Sequence, residues 1–275
     1  MFNLNNKVAL ITGASRGIGK GIALVLGEAG ATVYITGRTV EEGQGNRGLP
    51  GTIRQTAKEI TSLGGQCTAL RCDHRIDSQV KEVFKLIMNK SGSLDILVNN
   101  VWGGYESFND IPEFMNKPDF WDIPISLWDD MVQSGPRAHY VASALAAPIM
   151  IAQKSGLIIN ISFIAARCDD RGVIYSVAKS ADDRMVACMA HELREHDVAA
   201  VAIYPGGLVR TEWVMRTAKN WGNLDGSESP QYTGRAVAAL ASDVEIMQKS
   251  GKAITVAALA KEYNFTDIDG KQPGV

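Results

Sequence analysis

Long apolar runs are missing from this chain. The longest, VASALAAPIMIA at 141–152, is interrupted by Ser143 and Pro148, and it falls short of the roughly 20 residues a membrane-spanning helix needs. Nor does MFNLNNKVALITGAS open with a basic region and a long apolar core, so no export signal is expected. An excess of one charge is missing too: 28 basic residues face 30 acidic ones, net −2. That gives no electrostatic case for nucleic acid or an anionic membrane as partner. Cysteine is scarce, with four residues at 67, 72, 168 and 188 and no C-x-x-C. This argues against a disulfide framework and for a reducing compartment, so a soluble, cytoplasmic protein is expected. Metal-ligand spacing is lacking as well. AHELREH at 190–196 places its second histidine at His196 rather than at 195. Five residues are about 500° of helix rotation, so His191 and His196 face apart and no metal site is expected.

What is present is an alternation of short apolar runs with amphipathic stretches. VALIT (8–12), TVYIT (32–36), CTALR (67–71), DILVN (95–99), LIINIS (157–162) and VAAVAIY (198–204) read as strands. Their β-branched content without strict alternation suits a parallel sheet covered on both faces. Helical patterns lie between them at 17–29, 52–63, 76–90, 127–153 and 173–194. The expectation is a Rossmann-type, doubly wound parallel sheet, a three-layer α/β/α single domain over 1–275. Three longer segments, 37–52, 101–127 and 212–232, leave the carboxyl ends of predicted strands, where open α/β sheets bind ligands. The last two are read as substrate loops.

The first strand runs into TGASRGIG, with Gly13, Gly17 and Gly19 at a strand-to-helix junction. Glycines there tolerate positive φ and let the backbone approach a pyrophosphate seated on the helix N-terminus. A dinucleotide site for NAD would end its second strand with an acid; this one ends with Arg38 and Thr39, and Arg16 lies inside the glycine turn. Two guanidinium groups and no carboxylate favour a 2′-phosphate, hence NADP(H).

TGASRGIG, Asn100 in LVNN, Ser162, the Y-S-V-A-K of Tyr175 and Lys179, and the PGG segment together resemble the short-chain dehydrogenase/reductase family, in order from about Asn6 to Thr211. Ser162 stands 13 residues before Tyr175, a spacing typical of that family. The resemblance implies hydride transfer between a nicotinamide and a carbonyl or alcohol, with Ser162, Tyr175 and Lys179 catalytic. It further implies cofactor contacts from Gly13, Ser15, Arg16, Gly17, Ile18, Gly19, Arg38, Asp73, His74, Asn100, Tyr175, Lys179, Pro205, Gly206, Val209 and Thr211, and a homodimer or homotetramer. The chemistry accounts for the Tyr–Lys pair. A free phenol, with a pKa near ~10, is a slow base at neutral pH. An ammonium ~4 Å away stabilises phenolate by ~4 kcal/mol at an effective dielectric of ~20. Ser162 would hydrogen-bond the substrate oxygen.

Several features depart from the family pattern. PGGLVRT has one glycine more than P-G-x-[IV]-x-T, and either Gly206 or Gly207 is the extra one. Relatives usually carry an asparagine seven residues after the tryptophan of the fourth helix, supporting a proton-relay water; here Trp128 is followed at that offset by Gly135. Either activity is altered, or a local break at Gly135-Pro136 lets the backbone do the work, because proline removes an N–H from the helix. NNVWGG in place of NNAG puts Trp102 at the site mouth. With GPRAHY and the long 102–126 stretch, these features resemble the subgroup of dehydrogenase/reductase SDR family member 1 and its bacterial relatives. That implies an NADPH-dependent reductase of bulky or apolar carbonyls, steroid-like ketones among them. Trp102, Tyr105, Phe108, Phe114, Phe120 and Trp121 are either an apolar substrate wall or packing for the loop. Arg137 and His139 read as helix packing or substrate contacts. Two other functions share the same signals: a 3-oxoacyl-thioester reductase serving an acyl carrier, with Arg167 and Arg171 as its basic patch, and an NADP(H)-binding sensor or scaffold with little turnover.

Overall fold

The computed structural model describes residues 2–44, 48–104 and 118–274, with only the backbone of Asn220. Tyr105, Phe108 and Phe114 lie outside the described residues.

The predicted strands form β1 (Val8–Ile11), β2 (Thr32–Gly37), β3 (Gln66–Arg71), β4 (Ile96–Asn99), β5 (Gly156–Ile161) and β6 (Val198–Tyr204). A seventh, β7 (Ala253–Thr255), was not apparent from sequence. All neighbours pair in parallel, in the order β3-β2-β1-β4-β5-β6-β7. Chain order reverses between β1 and β4, and a crevice opens at their carboxyl ends.

Both sheet faces are dry, which is why the strands show no polar alternation. On β1, Ala9 and Ile11 join one core while Val8 and Leu10 join the other, as the two-residue period of a strand requires. The first core is closed by α1 (Gly17–Glu28), α2 (Ile53–Ser62), α8 (Pro230–Ala241) and α9 (Val256–Tyr263), through Ile22, Leu26, Ile60, Tyr232, Leu240 and Leu259. The second is closed by α3 (Asp77–Ser91), α5 (Ala138–Gln153) and α6 (Val173–Leu193), through Val80, Phe84, Ile87, Ala146, Met150 and Val186. Small residues on this face, Ala142, Ala190, Ala200 and Ala202, let α5 and α6 lie close to the sheet. Thr52 caps α2, accepting from Gln55 N–H at 2.9 Å, and Thr255 caps α9, accepting from Ala258 N–H at 3.1 Å.

The helical pattern read over 127–153 is broken where Pro136 predicted. Helix α4 (Ile125–Val132) passes into a π-helical turn, Gln133–Arg137, before α5 begins. Gly135 leaves the helical region altogether, at φ −102° and ψ −110°. Past β6, a short α7 (Glu212–Arg216) and then α8 carry the chain back across α1. Among the described residues no helix is long and apolar enough to cross a membrane.

Candidate active site

A cleft of about 1140 Å³ runs along the carboxyl ends of the strands, and every catalytic and cofactor-contact residue named from sequence borders it. Its first part is the turn from β1 into α1. Gly13 and Gly17 hold φ of +72° and +59°, where side chains are strained. A Cβ on Gly17 would point at Thr211 Cγ2 (3.4 Å) across the cleft, so the missing side chain leaves room for a ligand against the first amides of α1. Asn100 braces this turn, its side-chain amide donating to the carbonyls of Thr12 (3.0 Å) and Gly13 (2.9 Å). A carboxylate that sequence reasoning missed also lies here: Glu212 Oε2 accepts from Gly17 N–H at 2.7 Å. A helix N-terminus favours such an anion, whether carboxylate or phosphate. The crevice, the glycine turn and the free width beside it fit a dinucleotide.

At the other end, beyond β2 and β3, cationic groups gather. Arg38, Arg71 and Arg75 are exposed and border the cleft, and Arg75 grips Asp73 with a 2.8 Å contact. Burial opposes ionisation of Asp73, but the hydrogen bonds from Arg75 outweigh it and hold the carboxyl below its ordinary range. Arg16 is committed to the backbone of the 48–52 segment, donating to the carbonyls of Pro50 (2.9 Å) and Gly51 (2.9 Å). It shapes this rim and adds charge to it. His74 is buried, with Nε2 2.7 Å from Thr36 Oγ1, and burial lowers its pKa to about 4, so the ring is neutral at physiological pH. Arg71 and Arg75 escaped sequence reasoning, although their flanking of Asp73 was a usable signal.

The third part lies between β4, β5 and α6. Ser162 follows the last residue of β5, while Tyr175 and Lys179 occupy the first two turns of α6, so strand end and helix start converge. Ser162 Oγ donates to the Lys179 carbonyl at 3.2 Å. Lys179 Nζ donates to the Ile161 carbonyl at 2.9 Å, lies 3.6 Å from Asp182 Oδ2, and sits 6.0 Å from the centre of the Tyr175 ring. Burial lowers the lysine's pKa, and the Asp182 carboxylate pulls it back up. Trp102 roofs this group: its ring is 4.3 Å from Lys179 Nζ and meets Tyr175 edge-on at 5.4 Å.

Trp102 also explains Gly135. A Cβ there would fall 2.7 Å from Trp102 Cζ3 and 3.1 Å from Cε3. The indole occupies the space that a side chain at 135 would need, so the two departures from the family pattern are sterically coupled.

Apolar residues line the space in front of Tyr175, but not all those expected. Phe120 and Trp121 are 60% and 68% exposed, pack on each other at 5.1 Å and do not border the cleft. With Trp102, the apolar lining of the cleft is instead Leu127, Met131 and the contacting pair Trp213 and Trp221. The latter pair comes from the 212–232 segment.

That segment is fastened by an acidic knot. Gly206 N–H donates to Glu228 Oε2 at 2.8 Å, and a Cβ on Gly206 would strike Glu228 Oε1 at 2.2 Å, whereas nothing lies near Gly207. Gly207 is therefore the additional glycine of PGGLVRT. Val209 bridges to Glu228, and Thr211 caps α7, accepting from Val214 N–H at 3.3 Å. Arg210 and Asp267 sit 3.4 Å apart, binding the segment to the C-terminal tail.

Comparison with known proteins agrees with this geometry. The short chain dehydrogenase family model matches residues 7–221. Dehydrogenase/reductase SDR family member 1 of Mus musculus is 40% identical, over 98% of this chain and 85% of its own length. The 7alpha-hydroxysteroid dehydrogenase of Escherichia coli (strain K12) is 30% identical over 76% of each chain. A solved 7 alpha-hydroxysteroid dehydrogenase, complexed with NADH and 7-oxo glycochenodeoxycholic acid, superposes with a TM-score of 0.75 at 26% identity, covering 98% of this chain and 96% of that one. By fold, cleft and matched length, the chain belongs to the short-chain dehydrogenase/reductase family of oxidoreductases, in the subgroup of dehydrogenase/reductase SDR family member 1.

Proposed function

We propose that the protein is an NADP(H)-dependent reductase of bulky, apolar ketones, with Ser162, Tyr175 and Lys179 as its catalytic residues. The observation that carries this reading is their convergence under an aromatic roof, in the same cleft as the glycine turn. A bound nicotinamide supplies the hydride. Tyr175 holds the proton that the developing alkoxide takes, Ser162 orients the substrate oxygen by a hydrogen bond, and the Lys179 ammonium favours the phenolate left behind. Gly13, Ser15, Gly17, Ile18 and Gly19 would hold the pyrophosphate, and Asn100 the turn itself. Arg38, with Arg16, Arg71 and Arg75 around it, would hold the 2′-phosphate. Asp73 and His74 would border adenine, and Pro205, Gly206, Val209 and Thr211 the nicotinamide end.

The wall of Trp102, Leu127, Met131, Trp213 and Trp221 supports a large apolar substrate, in keeping with the steroid ligand of the 7 alpha-hydroxysteroid dehydrogenase structure. The acyl-carrier alternative is less well supported. Arg171 lies 3.5 Å from Asp170, and Arg167 lies 3.9 Å from Asp183 and over the Tyr204 ring, so each shares its charge with a neighbouring carboxylate.

Steady-state reduction of a ketone panel, from small ketones to steroids, with NADPH and NADH, tests this reading. The expected result is a higher kcat/KM for the large apolar ketones and for NADPH. Tyr175→Phe should lose turnover and keep NADPH affinity. Binding without turnover of any ketone would reassign the protein to sensing or scaffolding.

A further inference from the structure

We infer that Asp182 and His139 form a buried positioning pair that holds the Lys179 ammonium in place and maintains its charge beside Tyr175. This rests on the proposed catalytic roles of Tyr175 and Lys179. The observations come from two helices that the sequence left unconnected. Asp182 lies one turn beyond Lys179 on α6, fully buried, with Oδ2 facing Nζ at 3.6 Å. Its Oδ1 lies 2.7 Å from Nδ1 of His139, itself only 1% exposed and placed in the first turn of α5, directly after the break at Gly135. The other ring nitrogen, Nε2, lies 2.9 Å from the Val101 carbonyl.

Carboxylate and carbonyl oxygens only accept hydrogen bonds, so the imidazole satisfies both partners with a proton on each nitrogen. The result is a line of groups: Val101 carbonyl, His139 ring, Asp182 carboxylate, Lys179 ammonium, Ile161 carbonyl. It grips the lysine from two sides, because Val101 carries Trp102, whose ring covers Nζ.

Charge explains why this line is useful. A buried ammonium tends to lose its proton, and a neutral amine gives a phenolate no support. The Asp182 carboxylate opposes that loss, and burial of a carboxylate without a partner is itself costly, which His139 relieves. Other groups lie near the pair among the described residues. His74, near His139, is neutral at physiological pH, and Asp183 adds negative charge near Lys179. Asn99, Ser143 and Asn160 form a neutral hydrogen-bonded group behind the pair, Asn160 donating to the Asp182 backbone carbonyl at 3.5 Å.

The test uses the cofactor-free protein, so that its outcome does not depend on finding a substrate. The titration of Tyr175 is read at 295 nm as the difference between a protein and its Tyr175→Phe version, with and without Asp182→Asn. Asn keeps the shape and a hydrogen-bonding oxygen but removes the charge, so a merely structural role predicts an unchanged titration. The expected result is a midpoint raised by about one to two pH units, with the pH profile of alcohol oxidation moving the same way and Tm little altered. An unchanged or lowered midpoint overturns the inference, whatever the turnover. If Asp182→Asn fails to fold, long-range 15N NMR of the histidine rings in the native protein decides. Both nitrogens of His139 protonated at neutral pH sustains the pair; one bare nitrogen overturns it.

Discussion

The steric link between Trp102 and Gly135 can be measured by replacing each residue and then both. Gly135→Ala adds one methyl group, and the structure places that carbon 2.7 Å from Trp102 Cζ3, inside any contact that real side chains make. Overpacking of this kind costs about 1–3 kcal/mol. Helix propensity gives nothing back, because Gly135 lies at φ −102° and ψ −110°, outside the helical region. The net expectation is a loss of about 1–3 kcal/mol, set by the indole. Trp102→Ala alone loses the edge-on contact with Tyr175, the cation–π contact with Lys179 and apolar burial, together about 3 kcal/mol. In that background the methyl at 135 no longer meets the indole, so Gly135→Ala should lose most of its overpacking cost. Urea unfolding of the four proteins gives the coupling energy, expected at about 1–3 kcal/mol in favour of the double variant. Additivity within about 0.5 kcal/mol, or a single Gly135→Ala variant more stable than the native protein, would refute the reasoning.

Three further tests concern the ends of the cleft. Burial raises the Glu228 carboxyl to about 7, with the Gly206 N–H partly opposing the shift. The folded chain therefore holds a proton that the unfolded chain has released between about pH 4.3 and 7, and stability falls as pH rises through that window, by up to about 3 kcal/mol. Glu228→Gln removes the dependence, so its Tm relative to the native protein should climb between pH 5 and pH 8; a constant difference would exclude the assignment. Glu212→Gln removes an anion from the Gly17 amide, where a pyrophosphate would bring its own charge. NADPH affinity measured by calorimetry should tighten about three- to tenfold, and unchanged or weaker binding would show that Glu212 does not oppose the cofactor. Arg38→Asp should cut the NADPH-to-NADH ratio of kcat/KM by about tenfold or more, and equal use of both cofactors by the native enzyme would defeat the 2′-phosphate reading.

What the sequence disclosed was pattern written at short range. A glycine turn, a serine ending a strand and a Tyr–Lys pair four residues apart are local spacings, and local spacing survives folding unchanged. The six longer strands were visible because each is a buried apolar run. Strand β7 was not, because Ala253–Thr255 is three residues long and only partly buried, too little for a pattern. Pro136 marked the helix break because a missing N–H acts on its own turn. The Asp182–His139 contact was invisible because 43 residues separate its partners and only the crossing of α5 and α6 brings them together. The sequence left the role of Phe120 and Trp121 open because aromatic composition says nothing about which way a loop faces.

The glycine at 135 was the one feature that favoured a protein without turnover, and the structure gives it another cause. Position 135 is filled from across the cleft by Trp102, so its lack of a side chain is a packing requirement rather than erosion of the site. What the resemblance implies for an asparagine there is support for a relay water, and Lys179 has partners of its own within reach: the Ile161 carbonyl at 2.9 Å, the indole face at 4.3 Å and Asp182 at 3.6 Å. A lysine that had lost its purpose would not hold a buried carboxylate and histidine beside it, since burying those groups costs free energy that apolar residues of similar size would not. A cluster of that cost next to Tyr175 is an argument for the proposed chemistry, and it places the unusual residues of the chain at the same site as the familiar ones.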